Sequence, residues 1–177
     1  PEDRLCWRRQ PCRLQQKAAA RRHRRRRSRR RGHGDVARKK RRPAGWETFE
    51  GDPYEICAAV KRIRGVLLLD CLTLWLTRLF LEGGLAENAS GSEWQAREEQ
   101  IRAMTEDLCS IPREGTHLII VSNEVGFGLV PTYIMGRRFR DLQGRMNQLC
   151  ASKAERVALV VAGCPLWVKG SMEESWQ

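Results

Sequence analysis

Residues 66–70, 117–122 and 157–162 are short, mostly apolar runs of strand length, and enough chain lies between them for helices. Continuous apolar runs of this length suit strands buried on both faces of a parallel sheet, because crossover helices then cover the sheet from either side. The intervening segments carry helical periodicity. Ile56, Ala59, Val60 and Ile63 share one face over 53–64, closed by Gly65, and residues 72–81 suit an apolar helix. Ser92 and Gln95 have capping-box spacing ahead of a stripe of Trp94, Ile101, Met104 and Leu108. After the glycine-rich stretch 124–131, Met135, Phe139, Leu142, Met146 and Leu149 form a further stripe. Strands alternating with helices predict right-handed crossovers and an α/β, doubly wound, mostly parallel sheet.

Charge divides the chain. Residues 1–42 hold 19 of its 33 Lys/Arg and 3 of its 21 Asp/Glu, a local charge of +16, so the remainder carries −4. The run RRHRRRRSRRR at 21–31 repels itself and lacks periodicity, which predicts an aberrant or disordered segment over 1–41 and a folded domain over 42–177. Such an arm also admits a nucleic-acid-binding module gripping phosphates, although no aromatics interleave with its arginines. The seven cysteines are odd in number and include no CxxC pair, which disfavours zinc sites and disulfide frameworks. Cys71, Cys109, Cys150 and Cys164 lie in apolar stretches and read as small core residues of a cytoplasmic protein. The longest apolar stretch, 66–81, is broken by Asp70 and Arg78 and is short for a bilayer span, and no signal peptide is expected.

Three groups of residues could carry chemistry. Asp70 closes an apolar strand, where an acid either holds Mg²⁺ beside nucleotide phosphates or caps the following helix. Ser122, Asn123, Glu124, Gly126 and Gly128 follow the next strand, as a loop approaching a ligand or as an ordinary turn. Arg137, Arg138, Arg140, Asp141, Arg145 and Asn147 crowd one helix, either to clamp phosphates or as a solvated face with Arg/Asp pairs.

The segments VLLLDCLTLWLTRLF, VSNEVGFGLVP, RRFRDLQGRMNQ and ERVALVVAG followed by PLWVKG occur in this order over roughly residues 42–170. Together they resemble the bifunctional adenosylcobinamide kinase/adenosylcobinamide-phosphate guanylyltransferase family, and RRPAGWETFE resembles the segment after that family's guanylylation site. The resemblance implies a RecA-like P-loop NTPase fold, a homotrimer, and use of ATP, GTP and Mg²⁺. It implies phosphorylation of adenosylcobinamide, then transfer of GMP from GTP through a histidine–GMP intermediate to give adenosylcobinamide-GDP. By position, Asp70 matches the acid at the nucleotide and metal site, and Glu50 matches another nucleotide-contacting acid. Lys40, Arg41, Arg42 and Pro43 fall on the loop touching the guanine nucleotide. Asn123, Glu124, Gly126, Arg137, Arg140, Asp141 and Asn147 are motif residues at the site or an interface, and Arg78 stands where many relatives have Asn.

Two family features are missing from these residues. There is no GxxxxGK[ST] sequence, where relatives carry GGxRSGKS after their first strand, and Ala37 and Arg38 stand where the nucleophilic histidine belongs. His33 is too distant to substitute for it, and His23 lies in the arginine run. The expectation is a domain lacking its first strand and phosphate loop, inactive as written, with residues 1 to about 38 arising from out-of-frame translation joined near Lys39. A P-loop-type kinase for another small molecule is the remaining alternative.

Overall fold

The structure is a computed structural model that describes residues 46–82, 88–111 and 115–171, and the backbone of 12–17. Strand β1 is Cys12–Lys17, β2 is Trp46–Gly51 and helix α1 is Ile56–Lys61. Then come β3 (Gly65–Asp70), α2 (Leu72–Glu82), α3 (Gly91–Cys109) and β4 (Thr116–Val121). A 3₁₀ turn at Val125–Phe127, α4 (Ile134–Lys153), β5 (Val157–Val161) and β6 (Cys164–Lys169) complete the described elements.

Among the described residues the sheet order is β2-β1-β3-β4, and only β3 and β4 are parallel; β1 pairs antiparallel with both β2 and β3. The expected mostly parallel sheet is therefore corrected to a mixed one. Backbone N–H and C=O groups pair whatever side chains they carry, so the polar segment CRLQQK occupies the edge of β3 that a missing first strand would have left open. This strand lies within the segment expected to lack regular structure; the rest of 1–41 lies outside the described residues.

Side chains alternate across β3 and β4. Leu67 and Leu69 are buried, and Leu118 and Ile120 pack with them on the same face, as does Phe49 of β2. The core forms on that face, where Ile56 and Val60 of α1 meet Leu72, Trp75, Leu76 and Leu79 of α2, Ile101 and Leu108 of α3, and Leu142 and Met146 of α4. Each fully buried side chain of this size contributes about 1.5–3 kcal/mol of transfer free energy. The opposite face of β4 shows Ile119 and Val121, each 42% exposed. The strand Thr116–Val121 is therefore an edge strand among the described residues, covered on one face, not the doubly buried strand that the apolar run 117–122 predicts.

Larger differences lie at the C-terminus. The third apolar run does not join the main sheet: β5 pairs antiparallel with β6 in a separate hairpin, where Val160 is 64% and Val161 52% exposed. Ala162 and Gly163 turn this hairpin with positive φ, and Cys164 is exposed beyond them, not a core residue. A two-residue reversal brings β6 back onto β5 before a crossover can form.

Helix boundaries also have local causes. Tyr54 N–H bonds Asp52 Oδ1 at 2.9 Å and Glu55 N–H bonds Asp52 O at 3.0 Å, so a turn occupies 53–55 and α1 is shorter than its apolar periodicity suggests. At the start of α3 the capping box uses Ser90 and Glu93, two residues earlier than Ser92 and Gln95: Ser90 Oγ accepts from Glu93 N–H, and Glu93 Oε2 accepts from Ser90 N–H at 2.7 Å. A charged Glu at the third helical position gains from the positive helix end as a Gln cannot. The Ser90 hydroxyl and backbone bonds hold the Glu93 carboxyl below its usual range. Trp75 Nε1–H donates to Pro53 O at 2.7 Å, tying α2 to the turn before α1. Arg78 Nη1 donates to Gly51 O at 2.7 Å and its guanidinium pairs with Glu82 at 2.9 Å, joining α2 to the end of β2.

Candidate active site

Parallel pairing of β3 with β4 sets Asp70 opposite Val121, so residues 122–124 emerge beside the carboxyl end of β3. This adjacency is what open α/β sheets use for ligand sites.

The β4 end is built from reciprocal hydrogen bonds. Thr73, in the first turn of α2, accepts at its Oγ1 from Asn123 Nδ2 at 2.9 Å and from Asn123 N–H at 3.3 Å. Asn147 of α4 uses both ends of its amide. Its Nδ2 donates to Asn123 O at 3.2 Å and to Glu124 Oε1 at 2.7 Å; its Oδ1 accepts from Ser122 Oγ at 2.6 Å and from Gln143 Nε2 at 2.8 Å. Gln143, fully buried one turn earlier, also donates to Ser122 Oγ at 3.0 Å, and its Oε1 has no partner among the described residues. The network fixes residues 122–124 between two helices while Asn123 and Glu124 stay exposed.

Asp70 is different. Its carboxylate makes no hydrogen bond or ion pair among the described residues, which removes the helix-cap reading, and it is half-buried at the strand end. Glu50 lies on the same cross-sheet row, opposite Arg13, which is opposite Asp70. Two inter-strand steps put the Glu50 and Asp70 backbones about 10 Å apart, with both side chains on the face away from the core. An oxygen donor not engaged by the protein at a strand end suits a hard cation such as Mg²⁺.

Asp70 and the network of Asn123, Glu124 and Asn147 thus lie at the carboxyl ends of neighbouring strands, Asp70 with its side chain on the face away from the core, and Gly126 lies in the turn that follows. Neither backbone nor packing requires glycine at 126: its φ is not in the left-handed region, and a Cβ there meets nothing within 4 Å. Arg137 and Asp141 are not part of this group, and Arg140 is half-buried two turns before Asn147 on the same helix. Arg137 is about 15 Å along the helix axis from Asn147, and its Nη1 donates to Pro131 O at 3.1 Å and Thr132 O at 2.6 Å. Arg138 stacks over Trp94 at 4.6 Å in a cleft of about 180 Å³ between α3 and α4 that Asp141 also lines. Arg145 forks onto Glu98 of α3, with Nη2 bonding Oε2 at 2.9 Å. The predicted intrahelical Arg/Asp pairs are absent among the described residues; Arg138 and Arg145 join α4 to α3 instead. Ala37, Arg38, Lys40, Arg41, Arg42 and Pro43 lie outside the described residues.

Sequence reasoning did not single out Thr73 or Gln143. Thr73 sits inside an apolar helix with only its distance of three residues from Asp70 to mark it. Gln143 falls within the RRFRDLQGRMNQ segment, as the polar residue one turn before Asn147 on the buried face.

The family described as "Cobinamide kinase / cobinamide phosphate guanyltransferase" matches residues 36–168. The chain is 36% identical over 147 residues to the bifunctional adenosylcobalamin biosynthesis protein CobP of Pseudomonas aeruginosa, with 78% of each chain covered. It is 34% identical over 134 residues to the bifunctional adenosylcobalamin biosynthesis protein CobU of Escherichia coli, with 74% of each covered, and 33% identical to CobU of Salmonella typhimurium over the same length and coverage. Among the described residues no helix is long and apolar enough to cross a membrane. With an α/β core, a parallel strand pair and a polar edge built from the motif residues, this chain belongs to the cobinamide kinase/cobinamide phosphate guanyltransferase family, whose members are kinase and guanylyltransferase enzymes of cobalamin biosynthesis.

Proposed function

We propose that the edge formed by Asp70, Glu50 and residues 122–126 is the nucleotide side of an adenosylcobinamide kinase and adenosylcobinamide-phosphate guanylyltransferase site within a doubly wound P-loop fold. The uncommitted carboxylate of Asp70, beside a loop fixed by Thr73 and Asn147, carries this reading. Asp70 would hold Mg²⁺, with Glu50 on the same row as a further oxygen donor. Bound there, the ion neutralises charge on the phosphates of ATP or GTP. Asn123 and Glu124 keep an amide oxygen and a carboxylate oxygen free for ligand groups, because Thr73 and Asn147 engage their other polar atoms. Gly126 leaves open surface where any side chain would project.

The 177-residue chain has Ala37 and Arg38 at the nucleophile position and no GxxxxGK[ST]. It therefore lacks both the amide cradle for phosphates and the imidazole that would accept GMP. We assign it nucleotide-side geometry without either transfer. The test is to incubate the purified chain with adenosylcobinamide and labelled ATP or GTP. A chimera follows, in which residues 1–38 are replaced by a segment carrying GGxRSGKS and a histidine at the nucleophile position. A silent chain and an active chimera support the reading; product or a GMP adduct from the unaltered chain contradicts it. Sedimentation of the chimera tests the trimeric assembly that the family resemblance implies.

A further inference from the structure

We infer that Cys109 and Cys150 form a thiol–disulfide modification site, a pair that exchanges with a small-molecule disulfide and closes into a covalent link between α3 and α4. Cys109 is the last residue of α3, Cys150 lies one turn before the end of α4, and their Sγ atoms are 3.5 Å apart. A disulfide needs about 2.05 Å, so closure shortens the sulfur separation by about 1.5 Å. Both residues are half-buried, which leaves a path for a reagent, and the thiols are free.

Cys109 Sγ donates to Cys150 Sγ in the dithiol. Once Cys109 is ionised the Cys150 S–H donates back, and with Lys153 close by it holds the Cys109 thiol below its ordinary range against the opposing effects of burial and Glu106. The same hydrogen bond, together with burial, pushes the Cys150 thiol up. The 3.5 Å separation lets either thiol, once ionised, open the exchange and the other close it, and the steps balance alike from either start. Begun from Cys109, its sulfur displaces one thiolate from a disulfide R–S–S–R, forming a Cys109–S–S–R mixed disulfide. Cys150, losing its proton to solvent or to the departing thiolate, attacks the Cys109 sulfur, and the second R thiolate leaves. Two protein thiols are oxidised and one external disulfide is reduced to two thiols.

Other described cysteines do not offer this geometry. Cys57 is buried with its Sγ 3.5 Å from Met104 O, and burial pushes its thiol up to about 11. Cys71 is buried at the end of β3, and Cys164 is exposed on the separate hairpin. In a reducing compartment the pair rests as a dithiol and the link is transient. Its location connects it to the candidate site, because Asn147 and Gln143 precede Cys150 on the same helix face.

The experiment uses the full chain equilibrated with oxidised glutathione, then alkylated and mapped by peptide mass spectrometry. A Cys109–Cys150 linked peptide, with loss of the mass of two hydrogens, is expected. A rise in Tm of roughly 5–10 °C should accompany it and reverse with reductant. Cys150→Ser and Cys109→Ser should each stop at a glutathione adduct on the remaining cysteine of the pair, without the link. Both cysteines remaining fully alkylatable after oxidation, or adducts confined to Cys164, would overturn the proposal, and this mapping of the unmutated chain does not depend on how the variants fold.

Discussion

Strands β3 and β4 run parallel and end side by side, yet their carboxyl ends are built in opposite ways. At β4, Asn123 and Glu124 are held by Thr73 and Asn147, and Asn147 is held in turn by Ser122 and Gln143. At β3, Asp70 is held by nothing among the described residues. A polar group engaged by the protein on most of its valences is positioning a loop. A half-buried carboxylate with none engaged is available to a ligand, and folding gains nothing from it. The two ends should therefore respond differently to mutation, in stability at β4 and in ligand handling at β3.

The largest expected effect is at Asn147. Asn147→Leu removes four hydrogen bonds and leaves buried Gln143 with one fewer acceptor, which should cost about 3 kcal/mol in urea unfolding. Thr73→Val keeps the shape of the side chain but removes the acceptor for both Asn123 donors, with an expected loss of about 1 kcal/mol. At the other end, Asp70→Asn should change stability by less than about 0.5 kcal/mol, while Mg²⁺-dependent activity of the chimera falls at least about a hundredfold. Gly126→Ala sits between the two classes. Unfolding should shift by no more than about 0.5 kcal/mol, in the stabilising direction, and the apparent nucleotide affinity of the chimera should fall. Equal stability losses at Asp70 and Asn147 would dissolve the distinction between the two ends.

Much of this arrangement is legible in the sequence. The apolar periods of α2, α3 and α4 reappear as Trp75, Leu76, Ile101, Leu108, Leu142 and Met146 in the core, because helix burial is decided by a local repeat. Asp70 and Asn123 are marked by their position at the ends of apolar runs. Strand placement was less visible: VALVV in β5 has the composition of a central strand, but the tight turn at Ala162 and Gly163 pairs it with β6 instead. Likewise nothing in CRLQQK announces a strand, since its place beside β3 depends on an open backbone edge. The same limit applies to Gln143 and Thr73, whose contacts span 21 and 50 residues of sequence. Arg138 and Arg145 read as phosphate clamps or a solvated face until α3 supplies Trp94 and Glu98 as their partners.

The proposed function is that this chain keeps the nucleotide-side edge of its family while lacking the groups that perform transfer. The most direct measurement follows label from γ-³²P-ATP and α-³²P-GTP into adenosylcobinamide and into protein, for the chain and the chimera in parallel. The account predicts no labelled product or protein adduct with the chain, and labelled adenosylcobinamide phosphate plus a GMP–protein adduct with the chimera. Label transferred by the unaltered chain would contradict it, as would a folded chimera that remains silent.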